Sequence, residues 1–279
     1  MSATGTLHDD RRAQYDVCRR RSVQLGTAML LGVVSCSSLG RAAGPVISDR
    51  PGFTDTPSVL PAGGIQLEAG LTSDDTPGVR YTSIGETLVR VGVGAGVEAR
   101  LFGNSYARRQ EDGGRSVGGL EDPKLGIKLR VRELPDSVHS FAPRVALLMA
   151  AALPVGGSPV STGHALPEGK FALSWNLPHG ASFFSNVGYA AVIADDGSRR
   201  ARPFMTGAAW YAASPKLSLF LEAYDARGDI RHLVTPARLG DAGVTRLLSD
   251  RFQVDVRIGR SLRRDRPERF AGVGLSRRW

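Results

Sequence analysis

Residues 86–101 read ETLVRVGVGAGVEARL. Val89, Val91 and Val93 fall on every second position with Thr87, and Glu86, Arg90 and Gly92 occupy the alternate set. Past Gly94-Ala95-Gly96 the same rhythm resumes, with Val97, Ala99 and Leu101 opposed by Glu98 and Arg100. A period of two places the two sets on opposite faces of a sheet. Glycines at the break supply the positive φ of a tight hairpin turn. The stretch therefore predicts two antiparallel strands, apolar on one face and charged on the other.

The pattern repeats along the chain. Leu125, Ile127, Leu129 and Val131 oppose Lys124, Gly126, Lys128 and Arg130, and Phe252, Val254, Val256 and Ile258 oppose Gln253, Asp255, Arg257 and Gly259. About twelve strands are expected, near 64–72, 84–93, 97–104, 121–132, 142–153, 169–177, 181–193, 203–213, 217–225, 240–248, 252–262 and 268–279. No long stretch carries a helical period. Each segment is of the length that crosses a bilayer as a tilted strand.

A soluble sandwich also alternates. Connection lengths argue for a barrel instead. Gly94-Ala95-Gly96, Pro178-His179-Gly180, Ser214-Pro215-Lys216 and Ser249-Asp250-Arg251 are short, whereas 103–119, 155–169 and 225–239 read as long polar loops. Short turns at one end and long loops at the other describe a transmembrane barrel, with 133–140 the exception. An even strand count brings both ends of the sheet to the short-turn side. Trp279 ends a strand in phase with Ala271, Val273 and Leu275. In lipid every backbone N–H and C=O needs a partner inside the protein, so such a sheet must close. The expected fold is all-β: an antiparallel transmembrane β-barrel of about twelve strands, behind an N-terminal signal peptide.

The leader is legible in residues 1–42. Arg19, Arg20 and Arg21 form a positive region, an apolar run follows from Leu25 to Val34, and Gly40 and Ala42 stand in the −3/−1 relation that signal peptidase requires. Cleavage is expected after Ala42, behind a long polar start. Val33-Val34-Ser35-Cys36 is a weak lipoprotein box, in which Cys36 would be acylated, and Ser22-Val23-Gln24 fits twin-arginine export poorly. Cys18 and Cys36 are the two cysteines and both precede Ala42, so a mature chain cut there has no disulfide framework. Residues 43–63 form a Pro-rich arm or short plug that suits neither helix nor strand, since each Pro removes an N–H and pushes the preceding residue toward extended geometry. Residues 64–279 form the barrel.

The chain of 279 residues carries a net charge of +9, and the leader through Ala42, with six Arg and three Asp, accounts for +3 of it. The remaining basic residues are scattered singly through strands and loops. No zinc, helix-turn-helix or RNP pattern accompanies them, so nucleic acid is not an expected partner. His139, His164, His179 and His232 all fall in turns or loops. They match no metal spacing or nucleophile motif, and no enzyme activity, cofactor or metal is expected.

The candidate functional residues are the charges on the lumen-facing set: Glu68, Glu86, Arg90, Glu98, Arg100, Lys124, Lys128, Arg130, Asp255 and Arg257. They form either a network of cross-strand ion pairs that fills a narrow barrel or a charged constriction that selects solutes. In the arm, Asp49, Arg50, Phe53 and Asp55 are the plug candidates. Trp175, Tyr189, Trp210 and Tyr211 suit interfacial girdles and core packing equally well. Eight strands leave an interior filled by side chains and sixteen leave a channel; twelve lies between, so open pore and plugged barrel both remain.

The stretches DRPGFTDTPSVLPAGGIQLEAG (49–70), ETLVRVGVGAGVEARL (86–101), GGLEDPKLGIKLRV (118–131), ALPVG (152–156), FALSWNL (171–177) and SDRFQVDVRIGRSL (249–262) resemble the family of outer-membrane barrels named for a meta-pathway of phenol degradation and often labelled transporters. The resemblance spans about 48–279. It departs from the family in its glycine-rich GVGAGVE and in having few aromatics on the lumen side. It implies a location in the outer membrane of a Gram-negative bacterium. It also implies a channel or transporter for small, aromatic or hydrophobic molecules, with outer-membrane lipid and the barrel-assembly machinery as partners. Trp279 would be the handle for assembly. A closed structural or assembly barrel and a soluble periplasmic ligand-binding β-protein are the alternatives.

Overall fold

The computed structural model describes residues 44–279 except 104, 136–140, 159, 195–196, 227–236 and 265–266. The leader, Cys18, Cys36, His139 and His232 lie outside the described residues.

Among the described residues all regular structure is antiparallel sheet. The segments are β1 (Ile65–Thr76), β2 (Val79–Gly94), β3 (Val97–Phe102), β4 (Tyr106–Glu111), β5 (Ser116–Leu120), β6 (Lys124–Arg132), β7 (Arg144–Ala152), β8 (Leu166–Asn176), β9 (Ala181–Ile193), β10 (Arg199–Ser214), β11 (Leu217–Ala226), β12 (Ala237–Ser249), β13 (Phe252–Ser261) and β14 (Arg269–Arg278). β3 and β4 are two halves of one interrupted stave, and so are β5 and β6, which leaves a twelve-stranded barrel. β1 closes the wall by pairing with β14, from Gln66 opposite Arg278 to Asp75 opposite Arg269, while also pairing with β2.

The opening stretch forms the β2–β3 hairpin. Its turn residues Ala95 and Gly96 both hold positive φ, 51° and 77°, as a two-residue hairpin whose twist matches its strands requires. Outside that hairpin several strands outrun their expected limits. β2 begins at Val79, β10 at Arg199 and β12 at Ala237, and residues 103–119 hold the β4–β5 hairpin in place of an irregular loop. The projecting parts of β2, β10 and the β4–β5 hairpin are mostly polar, and in β12 the apolar Leu239 faces inward beside an outward Arg238, so none of them shows the outward apolar phase that marks the lipid-facing strands.

Three neighbouring staves bend at one level. Gly85 and Glu86 take φ of 108° and 36° in a bulge of β2, β3 ends at Phe102 and β4 begins at Tyr106, and β5 gives way to β6 at Glu121-Asp122-Pro123. Pro123 has no N–H to offer a ladder. Beyond the bend β5 pairs with β4, and its other edge is covered by the connection after β7, whose Gly157 N–H donates to the Leu120 carbonyl at 2.7 Å.

Burial is inverted relative to a soluble sandwich. The largest fully buried side chains include Arg90, Lys128, Gln66, Glu68, Glu98, Glu222 and Asn186, whereas Ile84, Leu101, Leu125, Phe171, Leu221, Val256, Ile258 and Val273 face outward and exposed. A charged interior under a continuous apolar exterior is the arrangement lipid demands. It overturns the soluble alternative. The four aromatics divide between the two readings given above. Trp175, Tyr189 and Tyr211 share the phase of the outward set, but Trp210 shares that of buried Thr206 and Ala208 and stacks on buried Phe220 at 5.0 Å between centroids.

Candidate functional site

The arm, residues 44–62, threads the barrel interior. It forms no strand, so its backbone groups need other partners, and the lumen side chains supply them. Wall carboxylates accept from arm N–H groups. Glu68 takes the N–H of Asp49 and Arg50 (3.1 and 3.0 Å), Glu222 those of Phe53 and Thr54 (2.7 and 2.6 Å), and Glu98 that of Leu60 (2.9 Å). Wall cations donate to arm carbonyls. Arg90 reaches Ile47 and Ser58 (3.0 and 3.1 Å), Lys128 reaches Thr56 (2.9 Å), and Arg257 reaches Pro51 (2.6 Å). Arg278 donates to the carbonyls of Gly44 and Pro45 at the arm's start.

Asp49 is the hub. Its carboxylate lies 2.7 Å from Arg100, 2.9 Å from Lys128 and 3.5 Å from Arg90, and it accepts from the Thr56 N–H at 2.8 Å, which curls the arm. Arg90 and Arg100 also bridge Glu98 (2.9 and 3.2 Å), and Arg90 bridges Glu68 at 3.1 Å. Asp55 pairs with Arg100 at 3.2 Å and with Lys170, and its backbone exchanges hydrogen bonds with the Asn186 amide. Asp49, Glu68, Arg90, Glu98, Arg100 and Lys128 are buried and Asp55 and Lys170 nearly so, where an unpaired charge is costly, so each depends on the others.

Arg50 extends from the arm toward Glu86, 2.7 Å away, and Asp255, 3.5 Å away. Its guanidinium lies against Gly70 and Gly274, where an added Cβ would come within 2.2 Å of it. Gly92 gives the same clearance to the arm's Pro61 carbonyl, which would lie 1.9 Å from a Cβ. These wall glycines let backbone and side chain approach closely.

Phe53 packs on Tyr224 (4.2 Å) and Phe270 (5.8 Å), with the Arg257 guanidinium 4.7 Å above its ring. Phe184, Trp210 and Phe220 form a second stack. The expectation of few lumen aromatics is therefore corrected. These rings are spread over β9, β10, β11 and β14, one or two per strand, and only closure gathers them.

Beyond the arm, toward the end opposite Trp279, lies a cavity of about 370 Å³. Arg50, Pro51, Gly52 and Phe53 of the arm line it. Its wall includes Glu86, Thr87 and Gly103 from the bend, so Thr87, read by phase as outward, lines the cavity. Tyr81, Phe102, Lys124 and Glu168 also line it, with Ala152, Leu166 and Ala190 as apolar wall. Lys124 pairs with Glu168 at 3.2 Å and lies 5.4 Å from the Phe102 ring centre. Asp122 anchors the connection after β7 by accepting from Gly156, Ser161 and Thr162 at 2.7 to 2.9 Å.

Of the ten lumen candidates, Glu68, Arg90, Glu98, Arg100 and Lys128 meet around the arm at Asp49 and at residues 55–60. Glu86, Lys124, Asp255 and Arg257 lie at or beside the cavity and Arg50. Arg130 stands apart at the short-turn rim, paired with Glu133 at 3.2 Å. Asp49, Arg50, Phe53 and Asp55 all contact the wall as described. Glu222, Lys170, Asn186 and Gln66 were missed; each is a polar residue in the inward phase of its strand, so the alternation itself was the available signal. Among the described residues no cluster of His, Cys, Asp or Glu could hold a metal ion.

The family model described as "Putative MetA-pathway of phenol degradation" matches residues 48–279. No curated protein matches by sequence. Among solved structures, an outer-membrane channel from Pseudomonas putida F1 is similar at a TM-score of 0.62 and 12% identity, over 84% of this chain and 100% of that one. The NanC porin is similar at 0.51 and 13% identity, over 76% and 98%. The translocator domain of the autotransporter NalP from Neisseria meningitidis is similar at 0.50 and 13% identity, over 99% and 100%.

Proposed function

Since the chain belongs to the family which that model describes, and folds as an outer-membrane barrel, we propose that it is a channel or transporter for small molecules whose lumen the arm regulates. One observation carries this reading: the arm is the wall of a solute-sized cavity on one side and stands across the lumen on the other. The cavity combines ring faces (Phe53, Tyr81, Phe102), small apolar surface (Ala152, Ala190, Ala191) and paired charges. Such a lining suits small amphiphilic molecules, aromatic ones among them. The protein acts without catalysis in this reading, its partners being the solute, outer-membrane lipid and the machinery that inserts barrels.

A second reading is a closed structural barrel. The density of buried ion pairs around Asp49 favours it, because the network fills the lumen at that level. Deleting residues 48–62 separates the two. Planar-bilayer recordings of the folded, heat-modifiable variant should show single-channel currents well above those of the full chain. Silent bilayers with a folded variant would favour the closed barrel.

A further inference from the structure

One row of outward side chains has no place in the transport reading. At the end opposite Trp279, Arg260 of β13 stands directly across from Arg269 of β14, Arg269 across from Asp75 of β1, and Asp75 across from Arg80 of β2. All four are exposed. Arg260 shares the phase of Val256 and Ile258, and Arg269 that of Ala271 and Val273, so both point away from the lumen. The row begins two residues beyond Ile258, itself 69% exposed, which is roughly 7 Å further along the strand. It therefore lies near the upper end of the apolar band, with Leu262 of the same phase just beyond it.

Two like charges directly opposite on neighbouring strands repel. Asp75, the acid nearest in register, is taken by Arg80 at 2.6 Å. Neither Arg260 nor Arg269 makes a salt bridge or side-chain hydrogen bond to any described residue. Flanking this pair, Arg238 is occupied by Asp225 at 3.1 Å, and Leu262 exposes an apolar side chain beside it. Two outward arginines facing each other across one ladder at the boundary of an apolar wall match one chemistry: a phosphate carried on an acylated lipid. Guanidinium forks bind phosphate oxygens in bidentate fashion, and the lipid's chains would lie on Ile258, Val256 and Val273 below.

We propose that Arg260 and Arg269 form a binding site for a phosphate of a phosphorylated glycolipid in the outward-facing leaflet. The site is independent of whether the lumen conducts. The test uses the full folded barrel in detergent, titrated with diphosphorylated lipid A, with the same lipid stripped of its phosphates, and with inorganic phosphate alone, and read by native mass spectrometry and by the temperature of heat-modifiable unfolding. The wild type should bind the phosphorylated lipid about tenfold more tightly than the stripped one, the scale of a charge-assisted bidentate pair. Inorganic phosphate should not reproduce the stabilisation. Arg260→Gln with Arg269→Gln should abolish the preference, and Arg246→Gln, outward at the opposite rim, should retain it. Equal binding of the two lipids by the wild type, equal stabilisation by inorganic phosphate, or an undiminished preference in the double variant would each overturn the assignment. The wild-type comparison stands even if the double variant does not fold.

Discussion

The carboxylate of Asp49 lies 2.7 Å from the guanidinium of Arg100, joining an arm with no secondary structure to the third segment of a closed sheet. Lys128 and Arg90 converge on the same carboxylate. Asp49→Asn removes the charge that these three cations share. Breaking one partner out of a buried ionic cluster costs about 3–5 kcal/mol. The loss should fall on arm docking, since the sheet ladders remain. The expected outcome is an arm cleaved by added protease, with raised single-channel conductance in a barrel that stays heat-modifiable. Wild-type protection of the arm would show that Asp49 does not hold it.

Gly70 tests the arm by shape instead of charge. A methyl group there would overlap the Arg50 guanidinium, which is also wedged against Gly274. Gly70→Val should displace Arg50 from Glu86 and Asp255 and enlarge the conducting path, with little effect on barrel assembly. An unchanged conductance would mean that Arg50 can find another seat without opening the lumen.

Selectivity is read best once the arm is gone. In the barrel lacking residues 48–62, Arg100 and Lys128 lose Asp49 as their counter-charge. Arg100→Gln with Lys128→Gln in that background should move the reversal potential under a salt gradient toward cation preference. A reversal potential that does not move would assign these residues to rigidity alone.

The outward face carries its own test. Val256 points away from the lumen and is exposed. If lipid covers it, Val256→Arg should destabilise the barrel by about 2–4 kcal/mol near the bilayer midplane. Equilibrium unfolding from lipid vesicles measures this. A neutral result would place that surface in water.

Trp279 follows β14, and its N–H donates to the Ile65 carbonyl at 3.0 Å, tying the last residue to the first strand at the closing seam. Arg277 lies 5.3 Å from its ring centre. Trp279→Asp should lower the amount of heat-modifiable barrel in outer-membrane fractions several-fold, and leave the conductance of the inserted fraction unchanged. Wild-type levels of insertion would remove Trp279 from assembly.

Alternation alone carried the sheet and its two faces, because within the membrane one face meets lipid and the other the lumen, while the family resemblance rested on particular motifs such as Asp49-Arg50-Pro51. Valine at 89, 91 and 93 against Arg90 and Gly92 is legible without any contact being known. The same rule weakens where staves leave the bilayer. The ends of β1 and β2 and the β4–β5 hairpin are polar on both faces, so they read as loop. The arm's destination was equally beyond local pattern. Prolines in 49–62 say only that no ladder forms there. That Glu68 and Glu98, which flank β2, and Glu222, from β11, all accept the arm's N–H groups is a product of closure, which turns residues far apart in sequence inward onto one axis. Asp49 meeting three cations, Phe53 meeting Tyr224 and Phe270, and Arg260 standing beside Arg269 depend on register between strands. Register is set by the whole ladder and by bulges such as that at Gly85–Glu86, and no single segment encodes it.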